Sequence, residues 1–379
     1  MRKQFVEYYD LSDEQIKDIW ENSLIVFDTN VLLNLYRYND DARNEFLKVI
    51  EAYNDRLWIP YQVGLEFHRR RKEIIRKHSA AYKEFGDQLS NQLLKSFETL
   101  SSGYSRHPYI DFNDIKKRVQ RSADSIKRSL VRQSEEHPDL LNSDPILDTV
   151  TRLFDGRTGS DFTEDLLDDL YKEGEKRYSN KVPPGYCDEK NKKGQDKRAI
   201  YGDLIVWKQV IHYCKEQNKS VIFLTDDHKS DWWEKVEGKH SPRKELIKEF
   251  VTNTGCDILM YDSQRFLEYA KANTNFKVSS KTIKEVGKLK TISPQRLNKL
   301  WELWGENNDI YDSGNPLNPL DINLHYISSG QVLSDYFRSL SESTDWLNGY
   351  KQIQETLKRY PFLERPLKKD DGVSHGGDE

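Results

Sequence analysis

Six carboxylates stand at the ends of apolar runs or at the starts of the segments that follow them. Asp28 closes the run LIVF, Glu66 follows the short run LWIP, and Asp203 opens the stretch GDLIVW. Asp226 and Asp227 close VIFLT, with Asp231 four residues beyond Asp227. Carboxylates brought together repel one another and raise each other's pKa, so a cluster of them is tolerable where a cation neutralises it. Mg²⁺ and Mn²⁺ take hard oxygen donors and keep several waters. Such an ion presents water to a phosphodiester and stabilises charge on the attacking and leaving oxygens. Each acid also has an ordinary role when read alone. Asp28 before Thr29 and Asn30 suits a helix N-cap, Glu66 a solvated helix face, Asp203 the positive end of a helix dipole, and the TDD triplet a turn. Their joint placement in one pattern favours the cluster.

The elements that must position these acids follow from periodicity. LIVF, LWI, KSVIFLT and CDILMY read as short buried strands, separated by long connections of helical period. This pattern predicts an α/β fold with a parallel sheet between helices. In such a sheet, residues just past the strands' carboxyl ends line a common crevice, and Asp28 and the Asp226/Asp227 pair belong there. Ser12 with Gln15 predicts a capping box opening a helix. From Tyr61 the chain predicts one long helix or two, and residues 75–180 read as a helical insertion. After about residue 275 no buried strand is evident. Residues 276–366 read as a helical accessory region and 367–379 as a disordered tail.

Charge and cysteine usage narrow the class. The 379 residues carry 32% charged and 36% apolar side chains with a net charge of −4, so overall charge does not announce a polyanion binder and local charge matters instead. The 3 cysteines, Cys187, Cys214 and Cys256, form no CxxC pair or disulfide framework. No apolar run is long enough for a membrane span. The expectation is a cytoplasmic protein without membrane contact. No phosphate-binding glycine loop and no HExxH stretch occur.

Taken together, VFDTNVLL, GLEF, GDLIVW and IFLTDD resemble, in order, the four acidic motifs of the PIN-domain nuclease superfamily. The stretch VPPGYCDEK followed by YGDLIVWKQVI and TDDHKSDWW resembles a PIN-like subgroup found in larger bacterial proteins. The resemblance covers residues 20–270, with 1–275 as the PIN-like nuclease domain. It implies a short parallel sheet between helices, and Asp28, Glu66, Asp203 and Asp227 as the catalytic, metal-holding quartet. Asp226 is the alternative to Asp227 if the register is one off, and Asp231 an outer ligand. Thr29, Asn30 and Thr225 match supporting polar positions, and Asp188 and Lys190 match positions of the subgroup's loop.

Two basic clusters flank these acids. HRRRK places Arg69, Arg70 and Arg71 just past Glu66, and the loop before Asp203 carries Lys190, Lys192, Lys193 and Arg198. Both suit a phosphate backbone, or simply a solvated face. His68 and the pair Trp232 and Trp233 read as surface and core residues in preference to catalytic or base-stacking ones. The reading is an Mg²⁺- or Mn²⁺-dependent endonuclease, acting on RNA in preference to DNA, with a role in bacterial defence or as a toxin implied by the resemblance. A DNA nuclease with the same site, and an inactive nucleic-acid- or protein-binding scaffold, are the alternatives. The region after 275 is assigned to self-association or a regulatory partner.

Overall fold

A computed structural model of the chain describes residues 1, 4–189, 192, 194–236, 239–273 and 276–288. The expected accessory region beyond 288 and the expected tail therefore lie outside the described residues. Within them the fold is α/β. Four parallel strands, β1 (Leu24–Phe27), β2 (Leu57–Trp58), β3 (Val221–Leu224) and a last strand Ile258–Tyr261, lie in the order β2, β1, β3, last strand. Between β3 and the last strand the chain forms an antiparallel pair, β4 (Trp233–Val236) with β5 (Lys239–Pro242), which makes the last strand β6.

β1 and β3 are apolar and buried at every position. Successive side chains of a strand point to opposite faces, so complete burial means that helices cover both faces of the sheet. The register runs Leu24 to Val221 to Ile258 and continues past the strand ends: Asp28 N donates to Leu224 O at 2.9 Å and Thr225 N to Tyr261 O at 3.0 Å. The chain leaves β1 towards β2 on one side and meets β3 on the other. Such a reversal of strand order leaves a crevice at the carboxyl ends.

The helices, in chain order, are α1 (Asp13–Asn22), α2 (Thr29–Asn34), α3 (Asp40–Glu51), α4 (Tyr61–Gly103), α5 (Phe112–Glu135), α6 (Pro145–Phe154), α7 (Glu164–Ser179), α8 (Lys197–Ile200), α9 (Gly202–Gln217), α10 (Lys244–Thr254), α11 (Ser263–Asn273) and α12 (Ser280–Lys288). The capping box at Ser12 and Gln15 is present at the start of α1. Pro60 ends β2, and the 43 residues of α4 then run unbroken for about 65 Å. α5 returns against α4 as an antiparallel partner. Gly86 allows the close approach, since a Cβ there would lie 3.1 Å from Leu130.

The stretch 75–180 thus divides in two. α4 and α5 form an arm, whereas α6 and α7 pack on the body through residues such as Ile146, Leu153, Leu167 and Leu170. The arm is fixed at its base by Asp144, which caps α6 through Leu147 N at 2.9 Å. Asp144 also accepts from Arg71 of α4 at 2.7 Å and from the Tyr36 hydroxyl at 2.8 Å. Trp232 and Trp233 are core residues, and Trp232 stacks on Phe223 at 5.5 Å between ring centroids.

Candidate metal centre

Asp28 occupies the strand-end position because β1 stays hydrogen-bonded to β3 up to that residue and α2 begins at the next. Its carboxylate caps α2 by accepting from Thr29 N at 2.6 Å. The other oxygen accepts from Asn30 Nδ2 at 2.5 Å and from Thr225 Oγ1 at 2.8 Å. Capping and membership of an acidic site are therefore compatible, and Asn30 and Thr225 fix the orientation of the group. Burial raises the Asp28 pKa to about 6, against the Thr225 hydrogen bond and with the charges of Glu66 and Asp227 adding to it.

Three further carboxylates converge beside it. Asp188, Asp203 and Asp227 each offer an oxygen within 4.8 Å of the others. Asp227 arrives on the turn after β3, its N–H donating to Thr225 Oγ1 at 3.2 Å. Asp203 sits in the first turn of α9, where the helix's exposed N–H groups favour negative charge. Asp188 comes from the loop between α7 and α8. Asp231 holds that loop: its buried carboxylate accepts from Gly185 N at 3.1 Å and Cys187 N at 3.0 Å. Gly185 has φ +93°, and a Cβ on it would lie 2.2 Å from the Tyr178 hydroxyl and 3.0 Å from Asp203 Cβ. Only glycine lets the loop lie this close to Asp203. A Cβ on Gly202 would likewise fall 2.5 Å from a Glu66 oxygen.

Two lysines enter the cluster. Lys229 Nζ pairs with Asp227 and lies 3.1 Å from Asp188. Lys192 Nζ lies 3.3 Å from Asp188 and 4.0 Å from Asp203. Burial opposes the Asp188 charge, yet Lys229 and Lys192 outweigh it and hold its pKa below the usual carboxylate range. Asp203 goes the other way. Burial, helped by Asp227 and Asp28 and only partly offset by Lys192, raises it to about 8. One of its oxygens, Oδ2, is sealed from solvent and has no hydrogen-bond partner among the described residues.

The expected site residues fall into distinct places. Asp203 and Asp227 join the converging group. Asp28 and Glu66 stand outside the 4.8 Å group, Asp28 acting by charge on Asp203 and Glu66 on Asp28, and Glu66 accepts from Gln62 Nε2 at 2.8 Å. Asp226 turns away from its neighbour. Its carboxylate accepts from Asn34 Nδ2 at 2.8 Å, Ser263 N at 2.8 Å and Ser263 Oγ at 2.7 Å, tying α2 to the start of α11. Asp231 commits one oxygen to the loop, and the other, Oδ1, is sealed with no hydrogen-bond partner among the described residues. Among the basic residues, Arg69 and Arg70 are exposed and Arg71 is bound to Asp144. Arg198 donates to Gln62 at 2.7 Å and to both oxygens of Asp161, and Lys192 is inside the acidic cluster. Lys190 and Lys193 lie outside the described residues. Lys229 lies within the stretch TDDHKSDWW but was given no role there, and it is the residue that sequence reasoning missed. Asp188 was visible only as a loop position without a role.

A hard divalent cation fits this donor set. Three carboxylates within reach of one another and one sealed, unpartnered oxygen are what such an ion neutralises. Among the described residues no helix is long and apolar enough to cross a membrane. A comparison with protein-family models matches residues 24–246, more than half of the chain, to a family described as a PIN like domain. Comparisons with the curated proteins and with the solved structures gave no match.

Proposed function

The chain belongs to the PIN-like domain family, and on that premise we propose that it is a metal-dependent endonuclease hydrolysing phosphodiester bonds, with RNA as its substrate. The observation that carries this reading is the convergence of Asp188, Asp203 and Asp227 at the strand-order reversal, with Asp203 Oδ2 left unpartnered. These three would hold Mg²⁺ or Mn²⁺, with Asp28 and Glu66 adding negative charge around it. A bound ion of this kind neutralises the carboxylates, activates water and stabilises charge on the phosphate.

The chain's own residues prepare the site. Asn30, Thr225 and Thr29 N–H hold Asp28 in one orientation. Asp231 and Gly185 hold Asp188 against Asp203. Lys192 and Lys229 balance part of the acidic charge, which lets four aspartates share one crevice. RNA in preference to DNA, a cytoplasmic location and a role in defence rest on family analogy.

The test is cleavage of an RNA and DNA panel in Mn²⁺ by the wild type and by Asp203→Asn and Asp227→Asn. RNA products from the wild type and none from either variant are expected. Equal cutting by all three would overturn the reading, and cutting of DNA alone would replace the substrate.

A further inference from the structure

Charge is distributed unevenly along this chain. Residues 61–135, the arm and its connection, hold 16 Lys and Arg against 9 Asp and Glu, a net of +7 in a chain whose net charge is −4. Four of these nine acids are paired within the arm. Glu73 pairs with Lys77, Asp87 with Lys127, Glu98 with Lys116 and Asp114 with Arg118. What remains is ordered. On α5, Lys117, Arg121, Arg128 and Arg132 are exposed and make no ion pair among the described residues. They recur at i, i+4, i+11 and i+15, within about 60° of arc, as one straight row about 22 Å long. On α4, Arg69, Lys72, Arg76 and Lys83 are likewise exposed and form a row of about 21 Å.

From this we propose that the α4–α5 arm binds the phosphate backbone of a double-stranded nucleic acid. This rests on the nuclease reading and deepens it by naming the form of the substrate. Three features favour a duplex over a single strand. The rows are straight and stiff, and their length matches about six base pairs of regular backbone. No aromatic side chain lies on α5 between Lys117 and Arg132, so bases have nothing to stack on along that row, and the arm's exposed Phe85, Tyr104 and Tyr109 belong to neither row, whereas single-strand binders combine charge with aromatic platforms. The groups that make up the two rows are cations, which suit phosphates and read no bases. The arm is also fixed relative to the acids. Glu66 lies on the same unbroken helix, one turn before Arg69 and Arg70, and the Arg71–Asp144 pair holds its base. A duplex lying on the arm would be delivered in a set direction towards the crevice.

The experiment measures binding of a labelled 24-base-pair duplex, as RNA and as DNA, and of the matching single strand, to the full chain in EDTA. Removal of divalent ions separates binding from cutting. Lys117→Gln, Arg121→Gln, Arg128→Gln and Arg132→Gln are combined in one variant, and Lys17→Gln, Lys48→Gln, Lys215→Gln and Lys219→Gln in a control on the body. Binding of the duplex at least about tenfold weaker in the arm variant, with a salt slope lower by about 3 to 4, is expected. The control variant should bind like the wild type. Equal weakening in the two variants, an unchanged arm variant, or tighter binding of the single strand by the wild type would overturn the proposal. Because the substituted residues are exposed, thermal unfolding should superimpose. If it does not, Arg69→Gln, Lys72→Gln and Arg76→Gln on the other row repeat the test. Duplex binding by a wild type that cuts no nucleic acid in Mn²⁺ would refute the nuclease reading and leave the arm standing, and cutting by the wild type with duplex binding unchanged in the arm variant would do the opposite.

Discussion

The crevice and the arm are both dense in charge, and they handle it in opposite ways. In the crevice, Asp28, Asp188, Asp203 and Asp227 come from four separate elements and are drawn out of water. Burial and mutual repulsion lift Asp203 to about 8 and Asp28 to about 6. On the arm, the charges lie in sequence on two helices and stay in solvent, with four of the acids there paired locally. The two arrangements should therefore show their effects in different measurements. Converging buried charge should act on metal affinity and on rate, with little sensitivity to salt. Solvated charge in a row should act on substrate affinity, and strongly with salt.

The largest effect expected from this division is on rate. Asp203→Asn should reduce phosphodiester cleavage by on the order of 10²- to 10³-fold and remove the Mn²⁺ binding heat in calorimetry. Duplex affinity in EDTA should be unchanged. The division breaks if Asp203→Asn weakens duplex binding in EDTA as much as the four-residue arm variant does, or leaves the Mn²⁺ heat intact.

The joint between the two regions comes next. Arg71 is 13% exposed and its partner Asp144 9%, so removing the guanidinium leaves a nearly buried carboxylate with only the Tyr36 hydroxyl and one backbone N–H. Arg71→Met should lower stability by about 2–3 kcal/mol, read by urea denaturation. Arg69→Met, two residues away on the exposed face, should stay within about 0.5 kcal/mol. Equal small losses would mean that the arm's base is not fixed by this pair.

The sequence HRRRK treats these arginines alike, and the helix separates them: position 71 turns towards the body and 69 and 70 to water. That is one instance of a wider pattern in what could be read beforehand. The four sheet strands were legible because central parallel strands are continuous apolar runs. Acids at their ends were legible for the same reason, since a charge stands out against such a run. The pair β4 and β5 was not, because DWWEKVEGKHSP has no alternation of apolar and polar residues. Asp188 and Lys229 lie in irregular segments, where no period says which way a side chain points. Their place depends on Asp231 gripping Gly185 and Cys187, a contact across 44 to 46 residues.

The pH dependence of the metal-free protein sharpens the account of the crevice further. A carboxyl group raised to about 8 in the native state holds a proton that the unfolded chain, with its ordinary pKa near 4, has released. Between those values the native state binds more protons, so the contribution of Asp203 to stability falls as pH rises from about 4 to about 8. Asp188, whose pKa is lowered, contributes the opposite slope near and below pH 4, and His78, lowered by burial, contributes it below about pH 6.5. Even one unit of net shift corresponds to about 1.4 kcal/mol, or about 2–4 °C in Tm for a domain of this size. Thermal scans in EDTA should show that decline, Mn²⁺ should reverse it, and Asp203→Asn should flatten it. A metal-free Tm that rises between pH 5 and 8 would contradict the burial of these acids.

The smallest effect should come from the acid nearest the site in sequence. Asp226 and Asp227 are neighbours, and resemblance alone left open which of them faces the cluster. Asp227 pairs with Lys229 inside it, whereas Asp226 accepts three hydrogen bonds from Asn34 and Ser263. Asp226→Asn keeps the shape and one acceptor oxygen, so the cost is one charge-assisted bond. A loss of about 1 kcal/mol in stability is expected, with Mn²⁺ affinity and cleavage rate within about twofold of the wild type. Asp227→Asn should give the reverse pattern, with stability maintained and the Mn²⁺ heat gone. If Asp226→Asn instead abolishes the Mn²⁺ heat, the ion sits between β3 and α11, and the crevice must be redrawn around the other aspartate.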